Sequence, residues 1–349
     1  MEWTKPEFSK SQVSKAGRTL LRQHDGVDDF DAYSHALAVI NNWRTSHSYP
    51  LNTFKVTLRR YAEGVDPDRL VAQRIKRLSS IEAKLQRFPG MALGRMQDIG
   101  GCRAIVQTTD QAYSLWQAYK DSGIKHKLDS VDDYIARPKE SGYRGIHLIY
   151  KYNSDKKVPS IYNGLNIEIQ IRTKLQHAWA TAVETVGTFL QQALKSSQGA
   201  DDWLRFFALM SSVIAIREKS ESLVPNVPGN KKVLIAELRK LANKLRVKNS
   251  LGMYHQALRV STEDTLKGHH YYLLRLEPSK QSMTVTAYRR RELDEASADY
   301  LKAEREIRDT PGAEAVLVSV DSMSALRRAY PNYFLDTEIF LNELARALR

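Results

Sequence analysis

The chain has 349 residues, 42% of them hydrophobic, enough to bury a core of about two domains, or of one domain with appendages. Lysine and arginine outnumber aspartate and glutamate by 53 to 40, a formal charge of +13, which favours polyanions such as nucleotides, RNA or DNA as partners without choosing among them. A single cysteine, Cys102, excludes a disulfide framework and a cysteine-based zinc site; no apolar run approaches the ~20 residues of a membrane helix, so a soluble, cytoplasmic protein is expected.

Residues 10–65 read as helical, with Leu20, Leu21, Tyr33, Leu37, Ile40, Phe54, Leu58 and Tyr61 at helix-compatible spacings and punctuation at Gly26 and Pro50. This N-terminal helical cap, residues 1–68, carries Arg18, Arg22, Arg44, Lys55, Arg59 and Arg60, a set suited to a polyanion. Residues 69–190 mix helical patterns with β-rich runs, which predicts an α/β or α+β core with a sheet. Within it, RIKRLSSIEAKLQR at 74–87 predicts an amphipathic helix: Ile75, Leu78, Ile81 and Leu85 share one side, and Lys76, Arg77, Ser80, Lys84 and Arg87 gather on the other. A row of cations rising from one helix could hold a triphosphate.

Asp98 then precedes the strand GCRAIVQ (101–107), where Gly100 and Gly101 allow a close approach and Arg103 projects from the strand. In DYIARPKESGYRGIHLIY, Lys139, Tyr143 and His147 crowd around a turn that feeds the strand GIHLIYKY (145–152), with Tyr143 offering a flat face to a base and Lys139 a charge to a phosphate. NIEIQIRT (166–173) alternates: Ile167, Ile169 and Ile171 point to a core, and Glu168, Gln170 and Arg172 to the other face. Residues 191–265 read as a helical connecting region interrupted by LVPNVPGNKK, and residues 266–349 as a small α+β domain in which YYLLRLEP, SMTVTAYR and AEAVLVSV are strands around a helix at 293–308.

The series Arg74, Lys76, Ser80, Lys84; Asp98, Arg103; Lys139, Tyr143, His147; Glu168, Gln170, Arg172 resembles, in order and spacing, the synthetase domain of the RelA/SpoT family over residues 70–187. That resemblance implies an α+β fold, with a nucleotidyltransferase-like core of a mixed sheet flanked by helices that transfers the β,γ-pyrophosphate of ATP to a ribose hydroxyl. It implies Asp98 and Glu168 as catalytic residues and ligands of Mg²⁺, with Glu168 activating the hydroxyl. Arg74, Lys76, Ser80, Lys84 and Arg103 would then bind ATP, and Lys139, Tyr143, His147, Gln170 and Arg172 the acceptor. Glu184, in LQHAWATAVETVG, stands one place later than the family's glutamate. The His24–Asp25 pair lacks the companions of a hydrolase metal site, so no hydrolase is expected.

RRAYPNYF places Tyr330 and Tyr333 in a YxxY arrangement, and this resembles the CapRel group of fused toxins and antitoxins. In that group a C-terminal pseudo-zinc-finger domain covers the ATP site until a phage protein binds it, and the toxin modifies the 3′-CCA end of tRNA. The resemblance therefore implies a tRNA pyrophosphokinase with ATP, tRNA and a phage protein as partners, and neither membrane nor DNA. The alternatives are synthesis of free (p)ppGpp or (p)ppApp from GDP, GTP or their adenosine counterparts, and a catalytically silent nucleotide or RNA sensor.

Overall fold

All three isoleucines of NIEIQIRT are fully buried, and they pack the strand β5 (Asn166–Thr173) onto the helices behind it. Each contributes roughly 1.5–3 kcal/mol of hydrophobic stabilisation. The computed structural model describes residues 3–22, 30–193, 200–220, 222–251, 259–262, 269–277, 280, 282–308, 310, 313–320, 322–331, 334 and 337–349. In chain order these form α1 (Lys10–Arg22), α2 (Phe30–Ser46), α3 (Ser48–Val65), β1 (Leu70–Ile75), α4 (Leu78–Arg87), β2 (Gly100–Val106), α5 (Thr109–Asp121), β3 (Lys127–Asp133), β4 (Ile146–Lys151) and β5. Then follow α6 (Lys174–Ala193), α7 (Ala200–Arg217), α8 (Lys231–Lys244), α9 (247–251), β6 (Arg259–Thr262), β7 (Tyr271–Glu277), β8 (Ser282–Tyr288), α10 (Leu293–Glu306), β9 (Glu314–Ser319), α11 (Met323–Ala329) and α12 (Glu338–Ala347). No described helix is long and apolar enough to cross a membrane.

The described strands form one mixed sheet in the order β3-β4-β5-β2-β1-β9-β7-β8-β6. β5 runs parallel to β2 and antiparallel to β4, while β1 is antiparallel to β2 and to β9. The α+β class expected from the sequence is the one observed, but the C-terminal strands continue the core sheet. The seam is short: Gln73 pairs with Ser319 and Arg74 with Val318. A shared apolar cluster reinforces it, joining Leu70, Ala72 and Ile105 of the core to Tyr272, Val316, Leu326, Ala329 and Tyr330.

Two expectations are corrected. RIKRLSSIEAKLQR is not one helix, because Arg74 and Ile75 end β1 and α4 starts at Leu78, after Arg77 in an extended conformation. The helical spacing belongs to 78–87, and Ile75 falls in phase with it by coincidence. Residues 259–262, read as helical, form β6. Gly100 and Gly101 serve opposite faces of β2. A Cβ on Gly100 would stand 2.9 Å from Ile167 Cδ1 and 3.4 Å from His47 Cβ, so this glycine lets α3 pack close. A Cβ on Gly101 would meet nothing nearer than Glu168 Oε2 at 4.0 Å, so the other glycine opens a cradle.

Candidate active site

The cradle lies on the polar face of the sheet. Strand register puts Gln170 between Arg103 of β2 and His147 of β4, and puts Gly101 between Glu168 of β5 and Arg74 of β1. Because side chains alternate along each strand, these residues share one face while Ile167, Ile169, Cys102 and Ala104 share the buried one. The site is therefore a consequence of the same alternation that builds the core.

Tyr143, His147, Glu168, Gln170 and Arg172 close into a ring of hydrogen bonds. His147 Nδ1 lies 2.8 Å from Glu168 Oε1, and Gln170 Nε2 donates to Glu168 Oε2 at 2.7 Å. Arg172 Nη2 donates to Gln170 Oε1 at 3.0 Å and to the Tyr143 hydroxyl at 2.7 Å, and that hydroxyl lies 2.5 Å from His147 Nε2. Burial would raise the Glu168 pKa, but the hydrogen bond and charge of His147 outweigh it and hold the carboxyl below its ordinary range. Burial likewise pushes the Tyr143 phenol up, although Arg172 opposes it.

On the opposite side, Asp98 is clamped between two ammonium groups, Lys76 Nζ at 2.7 Å and Lys84 Nζ at 3.0 Å. Burial would raise the Asp98 pKa, and the two lysines outweigh it and lower the value instead. Lys76 is itself pulled down by burial. Three elements supply this cluster: the β1–α4 connection gives Lys76, α4 gives Lys84 with Ser80 in its first turn, and the entrance to β2 gives Asp98. Arg74, at the end of β1, stands beside them, near enough to Lys76 to repel it.

Arg103 is cationic company for Arg172 and Arg74. Burial and then these two like charges lower its pKa to about 10. Its guanidinium lies 5.9 Å from the ring centre of Tyr330, and Nη1 donates to Ala329 O at 3.3 Å. Tyr330 is buried, its hydroxyl donates to Gln73 O at 3.0 Å, and burial raises its pKa to about 12. The structure thus brings Tyr330 onto the Arg103 side of the cradle; Tyr333 and the His24–Asp25 pair lie outside the described residues.

Lys139 is exposed at the rim, with Nζ 4.3 Å from the Tyr134 ring centre and 5.4 Å from that of Tyr143. The Arg172 guanidinium is 4.9 Å from the Tyr143 ring centre, a cation–π contact that a base stacking on the same face would displace. Tyr134, which packs edge-on against both Tyr143 and His147, was not singled out from the sequence although it lies in the same quoted stretch. His177 was missed as well: α6 carries it toward Arg103 and Arg172, its Nε2 lies 3.2 Å from Arg328 O, and burial followed by those two charges holds its pKa well below the usual histidine value. Glu184 is exposed, and its charge raises the Arg103 pKa against the effect of burial. Of the basic residues expected to meet a polyanion, Arg18, Arg22, Arg59 and Arg60 are exposed. Arg44 and Lys55 are not available, being buried and bonded internally to Glu304 and Ser319.

Asp98 is close enough to Glu168 to disfavour its ionisation, and the open cradle over Gly101 adjoins Glu168 Oε2. Two carboxylates beside a space that phosphate oxygens could enter form a hard oxygen donor set of the kind Mg²⁺ prefers. The residues fit the ion, with the remaining ligands coming from a substrate. Among the described residues no cluster of three or more His, Cys, Asp or Glu side chains could hold a metal unaided.

A sheet floor carrying two carboxylates, flanked by lysines and arginines, has the charge complementarity to receive a metal-bound polyphosphate. Residues 73–187, a third of the chain, match the family model described as a region found in RelA / SpoT proteins; this stretch contains the hydrogen-bonded ring around Glu168 and the lysine clamp on Asp98, and the C-terminal lobe, residues 266–349, lies outside it. The GTP pyrophosphokinase YjbM of Bacillus subtilis is 37% identical over 130 residues, covering 36% of this chain and 59% of the relative. The GTP pyrophosphokinase of Escherichia coli K12 is 32% identical over 116 residues, covering 33% of this chain and 14% of its own length. The small alarmone synthetase 1 of B. subtilis bound to its product pppGpp superposes with a TM-score of 0.35 at 22% identity, over 61% of this chain and 94% of its own.

Proposed function

We propose that the protein is an ATP-dependent pyrophosphokinase of the RelA/SpoT synthetase type, and that its acceptor is the 3′-CCA end of tRNA. The observation that carries the first part is the opposition of two carboxylates, Asp98 and Glu168, across a cradle with phosphate-binding cations on one side and a polar acceptor ring on the other.

In this reading the triphosphate takes over Lys76 and Lys84 from Asp98, which frees the carboxylate as Arg74 and Arg103 engage the nucleotide and Ser80 assists. When bound by Asp98 and Glu168, Mg²⁺ would neutralise charge on the phosphates. Glu168 is ionised at neutral pH and accepts the proton of the ribose hydroxyl as its oxygen attacks the β-phosphorus. The bond from that phosphorus to the α–β bridging oxygen breaks and AMP departs with the oxygen. His147 and Gln170 hold the two Glu168 oxygens, so each bond orients the base and one must yield to the hydroxyl. Arg172 and Tyr143 complete the acceptor pocket, with Lys139 and Tyr134 at its rim.

The surplus of positive charge and the exposed Arg18, Arg22, Arg59 and Arg60 favour a polyanionic acceptor. Tyr330 beside Arg103 supports autoinhibition by the C-terminal lobe, relieved when a phage protein binds that lobe in anti-phage defence. The relatives' names favour a second reading, in which GDP or GTP accepts the pyrophosphate. Incubation with γ-³²P-ATP and either bulk tRNA or GDP and GTP separates the two: label on tRNA, lost when the CCA end is removed, is expected. Label on the free nucleotides alone would replace the tRNA reading with the second.

A further inference from the structure

Helix α4 begins without a cap of its own. Arg77, at the position where a short side-chain acceptor normally sits, makes no such bond, and arginine has no acceptor to offer. The first amide of the helix, Leu78 N–H, is instead satisfied from 226 residues away: it donates to Glu304 Oε1 at 2.9 Å. Glu304 belongs to α10, in the C-terminal lobe, and a carboxylate at this end also suits the helix dipole.

The same carboxylate is held by a buried arginine. Arg44 of α2, 1% exposed, donates to Glu304 through Nη1 at 2.8 Å and Nη2 at 3.0 Å, and Nη2 also reaches the Tyr300 hydroxyl. Its remaining reach goes to the active-site segment, where Nε donates to Lys76 O at 3.0 Å. Lys76 N–H donates to Ile99 O at 2.8 Å, so the backbone of this lysine is gripped on both sides. Arg77, between them, is ion-paired with Glu314 of β9. Three consecutive residues, 76, 77 and 78, are thus fixed by Arg44, Glu314 and Glu304, and two of these three come from the C-terminal lobe.

We propose that Glu304 and Arg44 are positioning residues for the phosphate-binding end of the site, acting through the backbone of Lys76 and the start of α4. The inference rests on the pyrophosphokinase reading for the assignment of Lys76 to ATP phosphates. It gives the C-terminal lobe two opposed effects: Tyr330 obstructs the cradle and Glu304 builds it. A domain that only plugged the site would release activity wherever its contacts were cut. Here cutting the Tyr330 contact opens the site, and cutting the Glu304 contact spoils it.

The test uses the full chain carrying Tyr330→Ala, so that the cradle is open, and measures binding of the non-hydrolysable ATP analogue AMPCPP and of AMP by calorimetry, with folding followed by near-ultraviolet circular dichroism. Glu304→Gln and Arg44→Lys are expected to weaken AMPCPP about 10-fold and to leave AMP, which lacks the β- and γ-phosphates, within about 2-fold. Once Lys76→Ala is present, adding Glu304→Gln should cost AMPCPP little more, as expected of residues acting through one another. Should either variant fail to fold, the other carries the comparison. Equal weakening of AMP and AMPCPP, or AMPCPP bound as tightly as before or tighter, overturns the proposal and leaves the pyrophosphokinase reading intact. No AMPCPP binding by the Tyr330→Ala protein itself would sink both.

Discussion

Glu168 and Asp98 are both carboxylates whose ionised forms the fold favours despite burial, the one through His147 and the other through Lys76 and Lys84. A depressed pKa in the folded state contributes stability that is fully present above the unfolded value and is lost as pH falls through the folded one. With ordinary values of 3.8 for Asp98 and 4.5 for Glu168, this contribution is complete at pH 6 and disappears in acid. Denaturant unfolding between pH 3 and pH 7 should therefore show Asp98→Asn gaining less stability than the parent as pH rises from 3 to 6. Parallel curves would mean that the two lysines do not bias Asp98. Neither carboxylate titrates between pH 6 and 8, so any change in turnover in that window belongs to another group.

At the level of elements, the sequence exposes what has local periodicity. β5 is legible because three isoleucines alternate with three polar residues, and β2 and β4 because short apolar runs follow glycine. β1 is hidden, since a helical repeat begins three residues after it ends and absorbs Ile75 into its phase. β3, KLDSVDD, is a charged edge strand with no apolar face to betray it. The Arg44–Glu304 link, 260 residues apart, leaves no local trace at all. Tyr330 was legible only as half of a short motif; its burial beside Arg103 comes from α11 packing on Leu70, Ala72 and Ile105. From that packing, Tyr330→Phe should lose about 1 kcal/mol with its bond to Gln73 O and keep basal transfer low. Tyr330→Ala should instead raise basal transfer on expression or in vitro, at a stability cost of about 3–5 kcal/mol for the vacated ring. Equal basal rates in the parent and the alanine variant would reduce Tyr330 to a packing residue.

For the molecule as a whole, the sheet that runs through the β1–β9 seam makes the core of residues 69–190 and the C-terminal lobe parts of one framework. Charge acts on the same scale. If tRNA is the acceptor, its binding releases counterions and log affinity should fall linearly with log salt, with a slope of about −0.9 per phosphate contact for duplex-like contacts, whereas a mononucleotide gives a shallow slope. Arg59→Glu with Arg60→Glu, on the exposed side of α3, should weaken tRNA modification and spare ATP binding. A salt response with tRNA no steeper than with GTP would remove the physical support for the larger acceptor.

Pyrophosphate transfer has a signature independent of the acceptor, because cleavage between the α- and β-phosphates releases AMP while transfer of a single phosphoryl group releases ADP. The decisive measurement is AMP released per labelled acceptor by the Tyr330→Ala protein with and without Glu168→Gln. One AMP per transferred group is predicted, with a fall of at least ~100-fold on adding Glu168→Gln, as expected when a base and a metal ligand are lost together. ADP as the product, or AMP release that survives Glu168→Gln within a few-fold, would contradict a pyrophosphokinase built on Asp98 and Glu168.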